Sequence, residues 1–302
     1  MKKQHFIPIL CLFLVFRVIN AQDKPANGFS QSGKVKESLS FQSSTLGREV
    51  KYSIYLPPDY ESSVRSYPVV YLLHGYTDDE TAWVQFGEVN MASDKAIADR
   101  TIPPMIIVMP DAGVTWYVND YLGKNRYEDM FFRELIPFID KTYHTRPSKE
   151  FRGVAGLSMG GYGALIYSLH HPDMFAACVA FSAAVRTDEE MMALDEKEYA
   201  GKFSFIYGPA GKPQDRLTEN WRKNSVLDLV KNMPESQKSM VRFYIDCGDD
   251  DILYKGNSTL HIMMRDLKVP HEFRIRNGEH NWTYWRTGLT DGLKFIGESF
   301  HR

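Results

Sequence analysis

Residues 156–160 read Gly156-Leu157-Ser158-Met159-Gly160 and fit the pattern G-x-S-x-G. In this pattern a serine lies on a sharp turn between a strand and a helix, and small residues flank it because the turn is too tight for larger ones. The turn lifts the serine hydroxyl out of the sheet edge, where it can act as a nucleophile. These five residues therefore predict a nucleophilic Ser158.

The residues on either side of the motif support this interpretation. Residues 151–155 are typical of a short buried strand that enters the turn, and residues 161–169 are typical of a helix that leaves it. The alternative is a glycine-rich helix start in which Ser158 only caps the helix. The strand before the serine and the glycine-containing helix after it favour the nucleophile.

A nucleophilic serine needs a base, and the base needs an orienting carboxylate. In α/β-hydrolases the two follow the serine in the order acid, then histidine. Residues 241–247 predict a strand that runs directly into Gly248-Asp249-Asp250-Asp251. An acid at the carboxyl end of a late strand suits the triad, but the position in the fold does not separate the three aspartates.

His280 is the candidate base. Residues 271–276 alternate like a short strand, and residues 278–282 follow as the loop Gly-Glu-His-Asn-Trp before a helix begins. A histidine on this loop can reach Ser158 Oγ with its Nε2. The other histidines lie in the leader, at the end of the nucleophile helix or without a glycine-containing loop around them, apart from His74.

His74 belongs to a second turn with a different predicted task. Residues 69–73 predict a buried strand, and His74-Gly75-Tyr76 forms the turn at its end. A His-Gly turn in such hydrolases directs a backbone N–H at the developing oxyanion. We expect the N–H groups of Tyr76 and Met159 to be the two oxyanion donors. Whether the His74 ring has a chemical role or only ends the strand stays open.

These motifs together resemble the esterase-D-like α/β-hydrolases, in particular the feruloyl and acetyl xylan esterases of carbohydrate esterase family one. The matching segments run in the expected order over nearly the whole chain after the leader: 72–75, 106–111, 155–164, 246–251 and 278–282. In that family the acid usually lies three residues after the glycine of the strand-end motif, which implies Asp251. The resemblance also implies an ester hydrolase that needs no cofactor and no metal.

The implied substrate is a feruloyl or acetyl ester on a plant cell-wall polysaccharide or oligosaccharide such as xylan. The wider family also resembles S-formylglutathione hydrolases, siderophore trilactone esterases and mycolyl transferases. A catalytically silent, carbohydrate-binding protein with the same fold is a further alternative. The sequence leaves the acyl group and the sugar backbone undecided.

The pattern of strands and helices predicts an α/β fold with a mainly parallel central sheet and helices on both faces. Residues 35–57 predict an antiparallel N-terminal hairpin that turns at Thr45-Leu46-Gly47. The chain of 302 residues is predicted to be a signal peptide (1–21), a linker (22–34) and one catalytic domain (35–302). We therefore expect a secreted or periplasmic protein with no membrane anchor after cleavage.

Aromatic residues near the predicted site are candidates for substrate binding. Trp116 and Tyr117 follow a strand on a loop, and Trp282 follows the base, although core packing is an open alternative for Trp282. Residues 186–220 interrupt the alternation of strands and helices and predict either a lid over the site or a surface segment. The formal net charge of −2 gives no reason to expect a nucleic acid partner.

Overall fold

The computed structural model describes residues 32–300 of the chain. The predicted signal peptide and residues 22–31 of the predicted linker lie outside this range. The first strand begins at Lys34, the last residue of the predicted linker. Within residues 32–300, no helix combines the length and the apolar composition that crossing a bilayer requires.

The described chain is built on an eight-stranded sheet. Its strands are β1 (Lys34–Ser43), β2 (Arg48–Leu56), β3 (Val69–Leu73), β4 (Ile106–Pro110), β5 (Arg152–Leu157), β6 (Ala177–Phe181), β7 (Arg242–Gly248) and β8 (His271–Arg276). Their order across the sheet is β1-β2-β4-β3-β5-β6-β7-β8. β1 and β2 form the predicted hairpin, β2 is also antiparallel to β4, and the other neighbours are parallel. The predicted α/β-hydrolase fold is confirmed.

Helices fill the connections between the strands. They are α1 (Ala82–Gln85), α2 (Val89–Ala98), α3 (Tyr127–Met130), α4 (Ile136–Thr142), α5 (Met159–His170), α6 (Asp188–Ala193), α7 (Glu196–Lys202), α8 (Ser204–Tyr207), α9 (Glu219–Asn224), α10 (Val226–Lys231), α11 (Tyr254–Asp266) and α12 (Trp282–Ser299). A π-helical turn, Phe131–Leu135, joins α3 to α4. Short 3₁₀ turns cover Lys149–Phe151, Pro213–Arg216 and Glu235–Gln237.

The sheet has a hydrophobic core on each face. Along β3, Val69 and Tyr71 belong to the core that packs on α5, whereas Val70 and Leu72 belong to the core that packs on α2 and α12. This division follows from strand geometry, since successive side chains point to opposite faces. A strand covered by helices on both sides must be apolar throughout, and all five residues of β3 are buried.

The parallel strands carry the predicted site residues to one edge of the sheet. His74 follows β3, Ser158 follows β5, Asp251 lies just after β7, and His280 lies on the loop after β8. Because β3, β5, β6, β7 and β8 run in the same direction, their carboxyl ends meet at this edge. In open α/β sheets ligands bind at this edge.

The far end of α5 is held by a partly buried ionic cluster. His170 Nδ1 lies 2.8 Å from Glu128 Oε1, and His170 Nε2 lies 2.9 Å from the Lys223 carbonyl. Both ring nitrogens face acceptors, so the ring carries two protons and a positive charge. Burial opposes that charge, but the hydrogen bond with Glu128, the Glu128 charge and the Lys223 carbonyl together outweigh burial and raise the pKa of His170. Burial likewise opposes the Glu128 charge, but hydrogen bonds from His170 and His171 lower the pKa of Glu128 to about 2.

This cluster predicts a pH-dependent contribution to stability. A raised folded-state pKa means that the His170 contribution is complete below the unfolded-state pKa of about 6.5 and is lost as the pH rises through the folded value. We expect Glu128→Gln to lower the free energy of unfolding by about 2 kcal/mol near pH 5.5 and by clearly less near pH 8.5. Urea unfolding at the two pH values measures this, with the exposed Glu150→Gln as control. A loss that is equal at both pH values would contradict the ionic origin.

Candidate active site

Ser158 occupies the turn between β5 and α5 in a strained conformation. Its φ of 53° and ψ of −116° lie where an L-residue stays only if its surroundings hold it. The Ser158 N–H donates to the Phe181 carbonyl at 2.9 Å, and the Ser158 carbonyl accepts from the N–H groups of Tyr162 and Ala184. These bonds use the backbone of Ser158 and leave its hydroxyl free to meet another side chain.

The two glycines of the motif are required by close backbone approaches. A Cβ at Gly156 would overlap the Gly160 carbonyl, and a Cβ at Gly160 would overlap the Leu73 carbonyl at the end of β3. Neither obstacle is a flexible side chain that could move away. The motif is therefore a packing requirement of the turn that carries Ser158.

His280 lies between Ser158 and Asp251. His280 Nε2 is 2.9 Å from Ser158 Oγ, and His280 Nδ1 is 3.0 Å from each carboxylate oxygen of Asp251. Asp251 is only 1% exposed and also accepts a hydrogen bond from the Leu253 N–H at 2.8 Å. The structure thus brings the predicted serine, base and acid into one hydrogen-bonded line, the arrangement in which an imidazole can take a serine proton.

The three consecutive aspartates have different surroundings. Asp249 and Asp250 are exposed, whereas Asp251 is buried. The Asp249 carboxylate accepts from the Gly278 N–H at 2.9 Å, and the Asp250 N–H donates to the Gly278 carbonyl at 3.1 Å. Both contacts shape the loop that leads to His280, but only Asp251 touches its ring.

The charge of Asp251 is stabilised in place. Burial alone would raise the pKa of this carboxyl group. Hydrogen bonds from His280, from the Ser182 hydroxyl and from the Leu253 N–H outweigh the burial and lower the pKa of Asp251 below its usual value. The carboxylate is therefore ionised at neutral pH and can stabilise a proton on His280.

The predicted oxyanion donors lie beside the nucleophile. A Cβ built on Gly75 would lie 3.8 Å from Ser158 Cβ and 2.7 Å from Leu157 Cδ1, so the His74-Gly75-Tyr76 turn contacts the Ser158 turn. Met159 is the first residue of α5, where backbone N–H groups have no partner within the helix. Among residues 32–300, neither the Tyr76 N–H nor the Met159 N–H donates a hydrogen bond. Both remain available for a ligand oxygen.

The His74 ring is a structural support of this turn, a role that the sequence left open. The ring is buried, and its Nε2 lies 2.9 Å from the Ala112 N–H, which can only donate. Nε2 must therefore accept, so Nδ1 carries the proton and donates to the Gly75 carbonyl at 2.8 Å. Burial is the main cause that lowers the pKa of His74 and keeps the ring neutral.

This hydrogen bond also orients the next peptide group. In a trans peptide the carbonyl and the following N–H point in opposite directions. Because His74 Nδ1 holds the Gly75 carbonyl, the Tyr76 N–H points away from the His74 ring. The local sequence indicates a turn here, but only the contact with Ala112 reveals which ring nitrogen carries the proton.

The prediction that Tyr117 binds substrate is wrong. Its ring is 0% exposed, its hydroxyl donates to the His74 carbonyl at 2.9 Å, and it packs closely against Gly163 of α5. A side chain enclosed in this way cannot reach a ligand. The loop position suggested exposure, but two consecutive residues with positive φ, Trp116 and Tyr117, turn both rings inward.

Trp116 lies at the edge of the site and is largely covered. Its exposed fraction is 5%, and its ring centroid lies 4.8 Å from Phe203 and 5.8 Å from Tyr76. Phe203 belongs to the 186–220 segment, and Lys202 of the same segment lies 5.8 Å over the Tyr76 ring. This segment therefore contacts the predicted oxyanion turn and covers Trp116.

Trp282 and Trp285 lie beside the base. Trp282 is partly buried and packs edge-on against Trp83 at 5.2 Å and Trp285 at 5.5 Å. Trp285 packs edge-on against the His280 ring at 4.9 Å and donates from Nε1 to Ser182 Oγ at 3.0 Å. Trp285 thus contacts the base, a role that the sequence analysis did not assign to it. Its position, five residues after His280 in an aromatic run, was the only available signal.

A metal site was not predicted. Within residues 32–300, no three His, Cys, Asp or Glu side chains gather in a way that could hold a metal ion. Two acids near β7 contact basic side chains: Asp251 contacts His280, and the buried Asp246 binds Arg276 at 2.9 Å.

The comparison with known proteins agrees with this geometry. The family model described as "Putative esterase" matches residues 43–296. A solved structure titled "ferulic acid esterase" superposes with a TM-score of 0.76 at 32% identity and covers 89% of this chain and 99% of its own.

Two curated relatives are longer than this chain. One is an endo-1,4-beta-xylanase/feruloyl esterase of Xylanibacter ruminicola, 36% identical over 51% of this chain and 22% of the relative. The other is esterase Rv1288 of Mycobacterium tuberculosis, 36% identical over 80% of this chain and 54% of the relative. The chain therefore spans about a fifth of the first relative's length and about half of the second's. Since the family model covers most of residues 32–300, the chain belongs to this esterase family.

Proposed function

We propose that the chain is a secreted serine carboxylesterase that hydrolyses feruloyl or acetyl esters on a plant cell-wall polysaccharide such as xylan. The observation that carries the proposal is the hydrogen-bonded line from Asp251 through His280 to Ser158. The names of the relatives, a xylanase/feruloyl esterase and a ferulic acid esterase, support the substrate class. Secretion is supported by the sequence of residues 1–21.

The reaction has two steps. In the first, Ser158 Oγ attacks the ester carbonyl while His280 Nε2 takes the hydroxyl proton. The C–O bond to the alcohol then breaks, His280 returns the proton to the departing oxygen, and an acyl ester remains on Ser158. In the second step, His280 takes a proton from water and the hydroxide attacks the acyl carbonyl. The C–O bond to Ser158 breaks, His280 returns the proton to Ser158 Oγ, and the free acid leaves.

The developing negative charge requires donors on the other side of the carbonyl. The free N–H groups of Tyr76 and Met159 suit this task, and the positive end of the α5 dipole adds to it. Removal of one such donor typically costs about 3–4 kcal/mol of barrier lowering. In this proposal His74 is a positioning residue, because it holds the Gly75 carbonyl and does not touch the substrate.

His74 variants test the proposed oxyanion turn. Asparagine can place an N–H donor where Nδ1 lies, whereas leucine has no donor. We expect His74→Leu to lower kcat about a hundredfold with little change in KM, and His74→Asn to recover a substantial part of it. Steady-state kinetics with an aryl acetate ester measure both constants. If both variants lost the same activity in proportion to a loss of thermal stability, His74 would only be a packing residue.

The substrate contacts of this proposal lie on two sides of the triad. Trp116 and Trp282 remain candidates, and Tyr117 is excluded by its burial. Since Phe203 covers Trp116, a large acyl group such as feruloyl would require the 186–220 segment to move, in keeping with a lid. An acetyl group would need no such movement.

Two measurements test the proposed activity and its substrate. Labelling by a fluorophosphonate, with loss of the label in a variant without Ser158, distinguishes a serine hydrolase from a silent binding protein. Relative kcat/KM on methyl ferulate and on acetylated xylan then identifies the acyl group. Failure to label, or labelling without turnover of either ester, would count against the proposal and favour a silent protein or one of the other acyl substrates.

A further inference from the structure

We propose that Phe86 and Trp282 form a binding subsite for the sugar that carries the ester, on the leaving-group side of the triad. The subsite would take an uncharged pentose or hexose ring by stacking on aromatic faces. This inference rests on the proposed esterase function and specifies which part of the substrate these two residues would contact.

The two rings form an aromatic surface next to the base. Phe86 is 51% exposed, and its ring centroid lies 5.7 Å from that of the partly exposed Trp282, with 41° between the ring planes. Isolated exposed apolar side chains are ordinary on protein surfaces. Here two aromatic rings are in contact, and one of them follows the base by only two residues.

The Trp282 ring and the Phe86 backbone are both held in place by neighbouring residues. Trp282 packs edge-on against the buried Trp83, whose Nε1 donates to the Leu73 carbonyl at 2.9 Å. The Phe86 carbonyl accepts from Arg286 of α12 at 3.4 Å, and Arg286 also pairs with Glu88 at 2.8 Å. A surface that is already ordered loses little entropy when a ligand stacks on it.

The chemistry of the reaction assigns this surface to the alcohol portion. His280 must give its proton to the ester oxygen that leaves with the alcohol, so the alcohol has to lie next to His280. The buried Trp285 contacts both His280 and Trp282, so Trp282 lies one side chain away from the base. The acyl group is expected on the other side, near Tyr76 and Trp116, because its carbonyl oxygen must meet the oxyanion donors.

The surroundings favour an uncharged sugar. Exposed polar side chains that can bind hydroxyl groups flank the two rings in sequence, namely Gln85 before Phe86 and Asn281 before Trp282. The exposed carboxylates Glu279 and Glu37 belong to the same region, since Glu279 precedes His280 and Glu37 contacts Gln85 at 3.4 Å. Arg286, which contacts the Phe86 carbonyl, is already paired with Glu88 at 2.8 Å. The carboxylates of Glu37 and Glu279 would repel a uronic acid but can accept hydrogen bonds from neutral hydroxyls.

The test compares one acyl group on two alcohols. The ratio of kcat/KM for a feruloylated or acetylated pentose oligosaccharide to kcat/KM for the matching methyl ester is measured in wild type, Phe86→Ala and Trp282→Phe. We expect Phe86→Ala to lower this ratio about tenfold, which corresponds to about 1.4 kcal/mol, and Trp282→Phe to lower it less. Ile262→Ala is the matched control, since Ile262 is 59% exposed on α11 and follows His261, whose ring contacts His271 at the amino end of β8, away from the triad. The ratio of kcat/KM values for Ile262→Ala should stay at the wild-type value.

A binding measurement separates this proposal from the proposed function. Calorimetric titration of a Ser158→Ala protein with the unesterified pentose oligosaccharide needs no turnover. Weaker binding after Phe86→Ala supports the subsite even if the wild type hydrolyses neither ester. If oligosaccharide binding were unchanged in Phe86→Ala and the ratio stayed at the wild-type value, the subsite would be overturned and the esterase proposal would stand.

Discussion

Ser158→Ala is expected to lower kcat for ester hydrolysis by about five to six orders of magnitude. The substitution removes the only atom of Ser158 that bonds to His280, and it leaves the backbone bonds to Phe181, Tyr162 and Ala184 untouched. A residual rate from the oxyanion donors and substrate binding should remain. Steady-state turnover of an aryl acetate ester, together with the melting temperature, measures the effect.

The control for this variant is a serine on the same helix. Ser168 is buried near the other end of α5, roughly 15 Å along the helix from Ser158, so Ser168→Ala should keep most of the activity. The melting temperature of Ser158→Ala should stay near that of the wild type, because alanine tolerates the strained turn no worse than serine. A variant that kept more than about a tenth of wild-type kcat, a barrier change below about 1.4 kcal/mol, would exclude Ser158 as the nucleophile.

Asp251→Asn is expected to lower kcat by about three to four orders of magnitude. The asparagine amide can donate to His280 Nδ1, which would favour the tautomer with its proton on Nε2 and disable that nitrogen as a base for Ser158. The asparagine carries no negative charge, so it would also not stabilise the protonated ring of His280. The pH dependence of kcat over about pH 5–9 should change together with its magnitude.

The neighbouring aspartates are internal controls for this variant. Asp250→Asn should be close to wild type, because the Asp250 side chain is exposed and the contact to Gly278 comes from its backbone. Asp249→Asn should cost little, since the asparagine Oδ1 can still accept from the Gly278 N–H and hold the loop of His280. The assignment of Asp251 would be wrong if either neighbour produced the largest loss.

The sequence predicted most of what local patterns can encode. The apolar runs placed the strands to within one or two residues, and β3 and β8 have the predicted ends. The glycines around Ser158 predicted a tight turn, and the structure supplies the reason in the backbone contacts of Gly156 and Gly160. The chain order of Ser158, an acid after a late strand and His280 on a final loop predicted the serine and the histidine that meet, and narrowed the acid to three consecutive aspartates.

The details of the loops could not be predicted in the same way. Fold position left Asp249, Asp250 and Asp251 equal, and only the family resemblance pointed to Asp251. Tyr117 looked like a binding residue because it follows a strand on a loop, yet its ring is enclosed. In an irregular loop no repeating period relates neighbouring side chains, so their directions depend on contacts with distant residues.

From the amino-acid sequence alone we predicted the α/β-hydrolase sheet, the sharp turn at Ser158 and the candidate serine and histidine. The tertiary structure decided which aspartate is buried against His280, which nitrogen of His74 carries a proton, and how the 186–220 segment covers Trp116. The physical reason is the range of the interactions. Strand periodicity and turn sterics act between residues close in sequence, whereas a hydrogen bond such as that between Ala112 and His74 exists only once distant segments have packed together.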